Sequence, residues 1–87
     1  MPRVSAFYGI VVYMYWNERD HPVPHFHALH AGSRASVSVD GVVLAGALDA
    51  RSLALVVEWA RLHRDELVAN WDRARQNQAL VPIPPLP

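Results

Sequence analysis

The chain has 87 residues, so it is long enough for one small domain with a thin core. With 52% hydrophobic and 18% charged residues it is too apolar to be a disordered chain. Eight basic and eight acidic residues give a formal net charge of zero, which argues against strong non-specific binding to nucleic acids or membranes. The chain has no cysteine, which excludes disulfides and thiolate metal sites.

The first predicted element is a strand over residues 7–16, a β-branched and aromatic run. This run is too short to span a membrane and lacks the cleavage site of a signal peptide, so we expect a cytoplasmic protein. After a polar loop, Pro22 and Pro24 delay the next strand until His25 because proline cannot donate to a strand ladder. Further strands are predicted over 25–31, 33–40 and 42–46, with turns at Gly32 and Asp40-Gly41.

After Gly46 the spacing of apolar residues changes from every second residue to about every 3.6 residues, which is typical of a helix. Asp49 is a typical N-cap for a helix over 50–76. Unbroken, this helix would be roughly 40 Å long. The proline-rich residues 80–87 favour an extended conformation. We therefore predict an α+β fold: a four-stranded, mostly antiparallel meander packed on one long C-terminal helix. Residues 1–79 form the domain and 80–87 form the tail.

Strand alternation predicts two different faces for this sheet. Phe26, Ala28 and Val37 fall on an apolar face that should take the helix, and Asp40-Gly41 should pair Val39 with Val42 and Val37 with Leu44. The opposite face is expected to be open to solvent. It collects His25, His27, Arg34, Ser36 and Ser38, and also Tyr13 and Tyr15 if the first strand pairs in the matching parity.

The histidines of this open face permit two kinds of chemistry. His25 and His27 are close enough along one strand to share a divalent metal, with His21 or Asp20 as a third ligand. Alternatively, His25, His27 and His21 act as general acid and base on RNA, while Arg34 stabilises the transition state. Tyr13, Tyr15, Ser36 and Ser38 would then bind the substrate. That enzyme would be a metal-independent ribonuclease needing no cofactor, whereas the metal hypothesis places an ion at His21, His25 and His27.

Two non-catalytic interpretations remain open. In one, the histidines and serines only solvate the outer face of a small sheet. In the other, the chain docks a protein through the open face, the tail, or the helix residues Trp59 and Trp71. Trp59 could instead simply cover the edge of the sheet.

Several motifs together resemble a small prokaryotic family of unknown function. They are Phe7-x-Gly9-Ile10, the run from Asp20-His21 to His25-Phe26-His27, Glu58-Trp59 and Asn70-Trp71. Val23 stands where that family has a proline, which removes none of the histidines. The resemblance implies a component of a two-gene toxin–antitoxin module, with a cognate small protein as partner.

The sequence hypothesis is accordingly a toxin-like component acting on RNA, with a non-enzymatic binding module as the alternative. RNA and a second copy of the chain are further candidate partners, and no membrane partner is expected.

Overall fold

The computed structural model describes residues 2–16 and 22–87, and it confirms the α+β class. In this described part of the chain, five antiparallel strands follow one another in chain order across a single sheet. The strands are β1 (Arg3–Phe7), β2 (Ile10–Tyr13), β3 (His25–His30), β4 (Ser33–Ser38) and β5 (Val43–Gly46). Two helices follow, α1 (Ala50–Leu62) and α2 (Arg64–Arg75).

The predicted strand over 7–16 is wrong, because the chain reverses direction inside it. Tyr8 and Gly9 both have positive φ, 49° and 76°, and they join β1 to β2 in a tight hairpin. Consecutive left-handed residues suit the right-handed twist of a two-residue hairpin turn. The apolar run continues through this turn, so its composition alone hides the reversal.

The other two turns differ in how well the sequence predicted them. Ala31 and Gly32 form the β3–β4 turn, which pairs His30 with Ser33. At Asp40-Gly41 the loop is longer than predicted, since the Ser38 N–H donates to the Val42 carbonyl. Val37 consequently lies opposite Val43, and the predicted pairing of Val37 with Leu44 is wrong.

The predicted single helix is also wrong, because it breaks at His63. That residue leaves the helical region with φ −117° and ψ 27°, and its ring contacts the Glu66 carboxylate at 2.6 Å. An unbroken helix of roughly 40 Å would exceed the longest dimension of the molecule, 33 Å. The break lets α2 turn back toward the start of β3 instead of overhanging the sheet.

The core lies between α1 and the predicted apolar face of the sheet. Phe26, Ala28 and Val37 are fully buried there, which confirms that part of the face assignment. Trp59 of α1 is the largest buried side chain, with its ring 5.4 Å from Phe7 and 5.6 Å from Phe26. This one side chain therefore joins α1 to two strands.

The tail is extended, as its prolines predict, but it packs against the domain. The Ile83 side chain is buried in the core, and its N–H donates to the Val4 carbonyl of β1. The indole N–H of Trp59 donates to the Pro84 carbonyl. The tail therefore covers the β1 edge of the sheet and is not a free arm.

Neither helix in the described part of the chain combines the length and apolar character needed to cross a membrane.

Candidate functional site

The open-face strand residues are paired as the alternation predicted. His25 lies opposite Ser38 and His27 opposite Ser36 across β3 and β4. On the other side of β3, Tyr13 lies opposite His27, so β2 does pair in the parity that brings the tyrosines to the histidines. The sheet therefore assembles most of the predicted site residues on one face.

These side chains stack into one aromatic cluster. The His27 ring lies 5.3 Å from Tyr13 and 4.9 Å from Tyr15, and His25 lies 5.4 Å from His27. Trp71 of α2 completes the group at 4.9 Å from His25. We call this set the histidine cluster; its members are Tyr13, Tyr15, His25, His27 and Trp71.

The expectation that His25 is exposed is wrong. Its side chain is only 1% exposed, because the turn of the chain at His63 brings Trp71 over its ring. The His25 Nδ1 lies 2.8 Å from the Val23 carbonyl oxygen, so this nitrogen carries the proton and donates it. His25 is thus held as a packed, oriented ring at the start of β3.

Tyr13 and Ser38 are buried as well, at 1% and 7% exposure. A tyrosine can stack on a nucleobase only if one face of its ring is accessible, and here the Tyr13 ring already stacks on His27. In this conformation neither residue presents an exposed surface to a substrate, and their substrate-binding role stays a prediction.

His27 is half-buried and faces a shallow cavity of about 200 Å³, which we call the Arg34 cavity. Its Nδ1 lies 3.2 Å from the Ser36 hydroxyl, which fixes the ring relative to β4. Arg34 is exposed, and no described residue forms an ion pair with it. The lining comprises His27, Arg34, Ala35, Ser36, Ala45 and Gly46.

The Arg34 cavity is smaller than the roughly 300–1,000 Å³ typical of small-molecule sites. It suits a single anionic group, such as a carboxylate or a phosphate, better than a whole metabolite. Acid–base cleavage of RNA needs two proton-transfer groups at one place. His25 does not line the cavity, so His27 is the one described imidazole that does.

The metal hypothesis depends partly on His21 and Asp20, which lie outside the described residues. Within 2–16 and 22–87, no three His, Asp or Glu side chains are grouped so that they could hold a metal ion. His21, the third of the predicted catalytic histidines, therefore cannot be placed relative to His25 and His27.

The partner-binding role of Trp59 and Trp71 stays a prediction, and in this structure both side chains are buried. Trp59 is fully buried and Trp71 is 6% exposed, because both side chains pack against the chain's own strands. Their indoles hold the helices on the sheet and present little surface to another molecule.

A polar group lies at the start of α1, and of its members the sequence predicted only the Asp49 N-cap. His30 Nδ1–H donates to the Asp49 carboxylate at 3.0 Å, and Ser52 Oγ lies 3.1 Å from the same nitrogen. A Ser-His-Asp triad would need the serine on the other ring nitrogen. The group is therefore a helix cap, which the Asp49 N-cap signal predicts.

The cap makes Asp49 more acidic than an ordinary aspartate. Its pKa is lowered chiefly because the Ser52 backbone N–H donates to the carboxylate; the Ser52 hydroxyl and His30 add to this effect. A lowered pKa means that this cap stabilises the fold above the pKa of an unfolded aspartate. That contribution is lost as the pH falls through the lower, folded-state pKa.

Replacing His25 tests whether it is a packing residue. We expect His25→Ala to lower the free energy of unfolding by about 2 kcal/mol, because it leaves a cavity against Trp71. His25→Phe should lose much less, since it keeps an aromatic ring in that place. Urea denaturation of the two variants measures this; a loss below about 0.5 kcal/mol for His25→Ala would mean that the ring is accessible.

Comparison with known proteins gives one match. A family model described as "Domain of unknown function (DUF4160)" matches residues 9–72, which include β2 to β5, α1 and most of α2. No curated protein and no solved structure matches the chain.

Proposed function

Since the chain belongs to the DUF4160 family of unknown function, we propose from its own geometry that it is a binding module whose Arg34 cavity receives a carboxylate of a partner protein. The observation that carries this proposal is the exposed Arg34 guanidinium, without an ion pair among the described residues, beside the half-buried His27. A guanidinium matches a carboxylate in a planar, two-bond arrangement.

The surroundings of the cavity favour recognition over catalysis. The His27 ring stacks on Tyr13 and its Nδ1 contacts the Ser36 hydroxyl. The position of the ring is therefore fixed before any ligand binds. Such preorganisation lowers the entropic cost of binding. The second histidine that a cleavage mechanism would require, His25, is packed under Trp71 instead.

A protein fits this surface better than a nucleic acid does. The chain has no net charge, whereas affinity for nucleic acid depends on several lysines or arginines meeting successive phosphates. One arginine at a small cavity matches one acidic side chain in a partner. The family that the motifs resemble implies a two-gene module. The first partner to test is therefore the small protein encoded beside this one.

The test is the affinity of the purified chain for that neighbouring gene product, measured by isothermal titration calorimetry. We expect Arg34→Gln to weaken binding roughly tenfold or more, because a charge-assisted hydrogen bond contributes about 1.5–3 kcal/mol. Arg75→Gln is the matched control, since Arg75 is an exposed arginine at the end of α2. Equal affinity for wild type and Arg34→Gln would reject the cavity as the binding site.

The second candidate function is the toxin-like ribonuclease, which the meeting of His27 and Arg34 at one cavity favours. His27 would take the proton of the attacking 2′-hydroxyl, a water molecule would give a proton to the 5′-oxygen of the leaving group, and Arg34 would stabilise the charged phosphorane. Induction of the wild-type chain alone should then arrest bacterial growth and produce cleaved RNA, and His27→Gln should abolish both effects. Normal growth with soluble wild-type protein would reject this candidate and leave the binding module intact.

A further inference from the structure

The tail covers one edge of the sheet, whereas no described segment covers the other edge. At the β1 edge, the tail lies alongside and the Ile83 N–H donates to the Val4 carbonyl. β5 forms the other edge, and no described segment pairs with its outer side. An uncovered edge strand presents backbone N–H and C=O groups that pair readily with another strand.

The β5 edge has some of the features that normally limit such pairing, since it is only four residues long and its pairing with β4 is irregular beside Val37. Charged side chains and prolines are the other usual protection of an edge. Residues 42–48, Val-Val-Leu-Ala-Gly-Ala-Leu, contain none of them. Val42 and Val43 are 58% and 38% exposed, so apolar side chains as well as backbone groups face solvent here.

An apolar groove on α1 continues this edge. The β4–β5 turn touches α1, since Gly41 packs against Val57. The groove has a volume of about 560 Å³ and is lined by one stripe of the helix: Ala50, Leu53, Ala54, Val57, Glu58 and Arg61. Small residues at Ala50 and Ala54 leave room for another helix to approach closely.

From the β5 edge and the α1 groove together we infer that this surface pairs with the same surface of a second copy of the chain. A two-fold axis beside β5 pairs the two β5 strands antiparallel, which joins two five-stranded sheets into one. The same axis sets the two α1 helices antiparallel over the junction. A two-fold interface of this kind requires a self-complementary surface.

The charges on α1 meet that requirement. In an antiparallel pairing centred between Ala54 and Leu55, Glu58 of one copy lies opposite Arg51 of the other, and the reverse pair forms by symmetry. Both side chains are exposed in the single chain. A parallel pairing would place Glu58 against Glu58, so the charges select the antiparallel arrangement. This inference does not depend on the proposed function of the Arg34 cavity.

Sedimentation velocity of the purified wild-type chain, from micromolar to millimolar concentration, tests the inference directly. We expect a monomer–dimer equilibrium. Val43→Lys should weaken the dimer at least tenfold, because it places a charge on the paired edge. Val81→Lys is the matched control, since Val81 is 48% exposed and belongs to the tail, which lies along the opposite, β1 edge of the sheet.

A charge exchange tests the helix register. Glu58→Arg should weaken the dimer about tenfold by setting like charges together. Adding Arg51→Glu to that variant should restore the wild-type dissociation constant, with circular dichroism confirming that each variant is folded. A wild-type chain that stays monomeric throughout would overturn the inference. A dimer that Val43→Lys leaves unchanged would overturn it equally, because the contact would then lie elsewhere.

Discussion

Trp59→Ala should lower the free energy of unfolding by about 4 kcal/mol, as expected for removal of a fully buried tryptophan from a close-packed core. The Trp59 ring contacts Phe7 and Phe26, which belong to strands at the edge and centre of the sheet. Its N–H also holds the tail at Pro84. Small domains are stable by only about 5–15 kcal/mol, so the variant should be close to unfolding at room temperature.

Guanidinium chloride denaturation monitored by far-ultraviolet circular dichroism measures this loss. Trp16→Ala is the control: Trp16 is 45% exposed, although its N–H donates to the Gln78 carbonyl. Its replacement should cost about 1 kcal/mol or less. Similar losses for the two variants would show that Trp59 does not join the helix to the sheet as described.

Asn70→Leu should lower the free energy of unfolding by about 3 kcal/mol, because it leaves buried polar groups without partners. The Asn70 side chain is fully buried; its amide donates to the Val81 carbonyl at 2.8 Å and its oxygen accepts the Val81 N–H at 2.9 Å. The same oxygen accepts a hydrogen bond from Arg73. Leucine has a similar volume but can form none of these bonds.

The tail should be released in the same variant, which limited proteolysis detects as faster cleavage after residue 79. Gln76→Leu is the control, since Gln76 is an exposed amide just beyond α2. If Asn70→Leu kept both its stability and its resistance to protease, Asn70 could not be what fastens the tail to α2.

The sequence predicted those features that depend on neighbouring residues. Pro22 and Pro24 fix where β3 begins, and the Ala31-Gly32 turn fixes which residues face one another across β3 and β4. Asp49 marks the start of α1 because its side chain accepts the Ser52 N–H. Each of these signals acts within a few residues, where propensity and geometry are readable from the sequence.

The features it missed depend on an unusual local conformation or on contacts between distant residues. Tyr8 adopts a left-handed conformation that its residue type disfavours, so only the pairing of β1 with β2 reveals the turn. The burial of His25 depends on where α2 runs, which the break at His63 decides. The alternation of side chains along β3 shows on which face of the sheet His25 lies. It does not show that Trp71 of α2 covers the His25 ring.

The packing of the tail has a kinetic consequence. The β1–β2, β3–β4 and β4–β5 hairpins close over short loops, whereas the Tyr8 hydroxyl and the Pro87 carbonyl are 79 positions apart. Closing such a loop costs more chain entropy, so the tail should dock after the sheet has formed. By the same argument it should be the first segment to open in the native state. Amide hydrogen exchange at Ile83 should then be faster than at the central strand β3, and the environment of the Trp59 indole should report each opening.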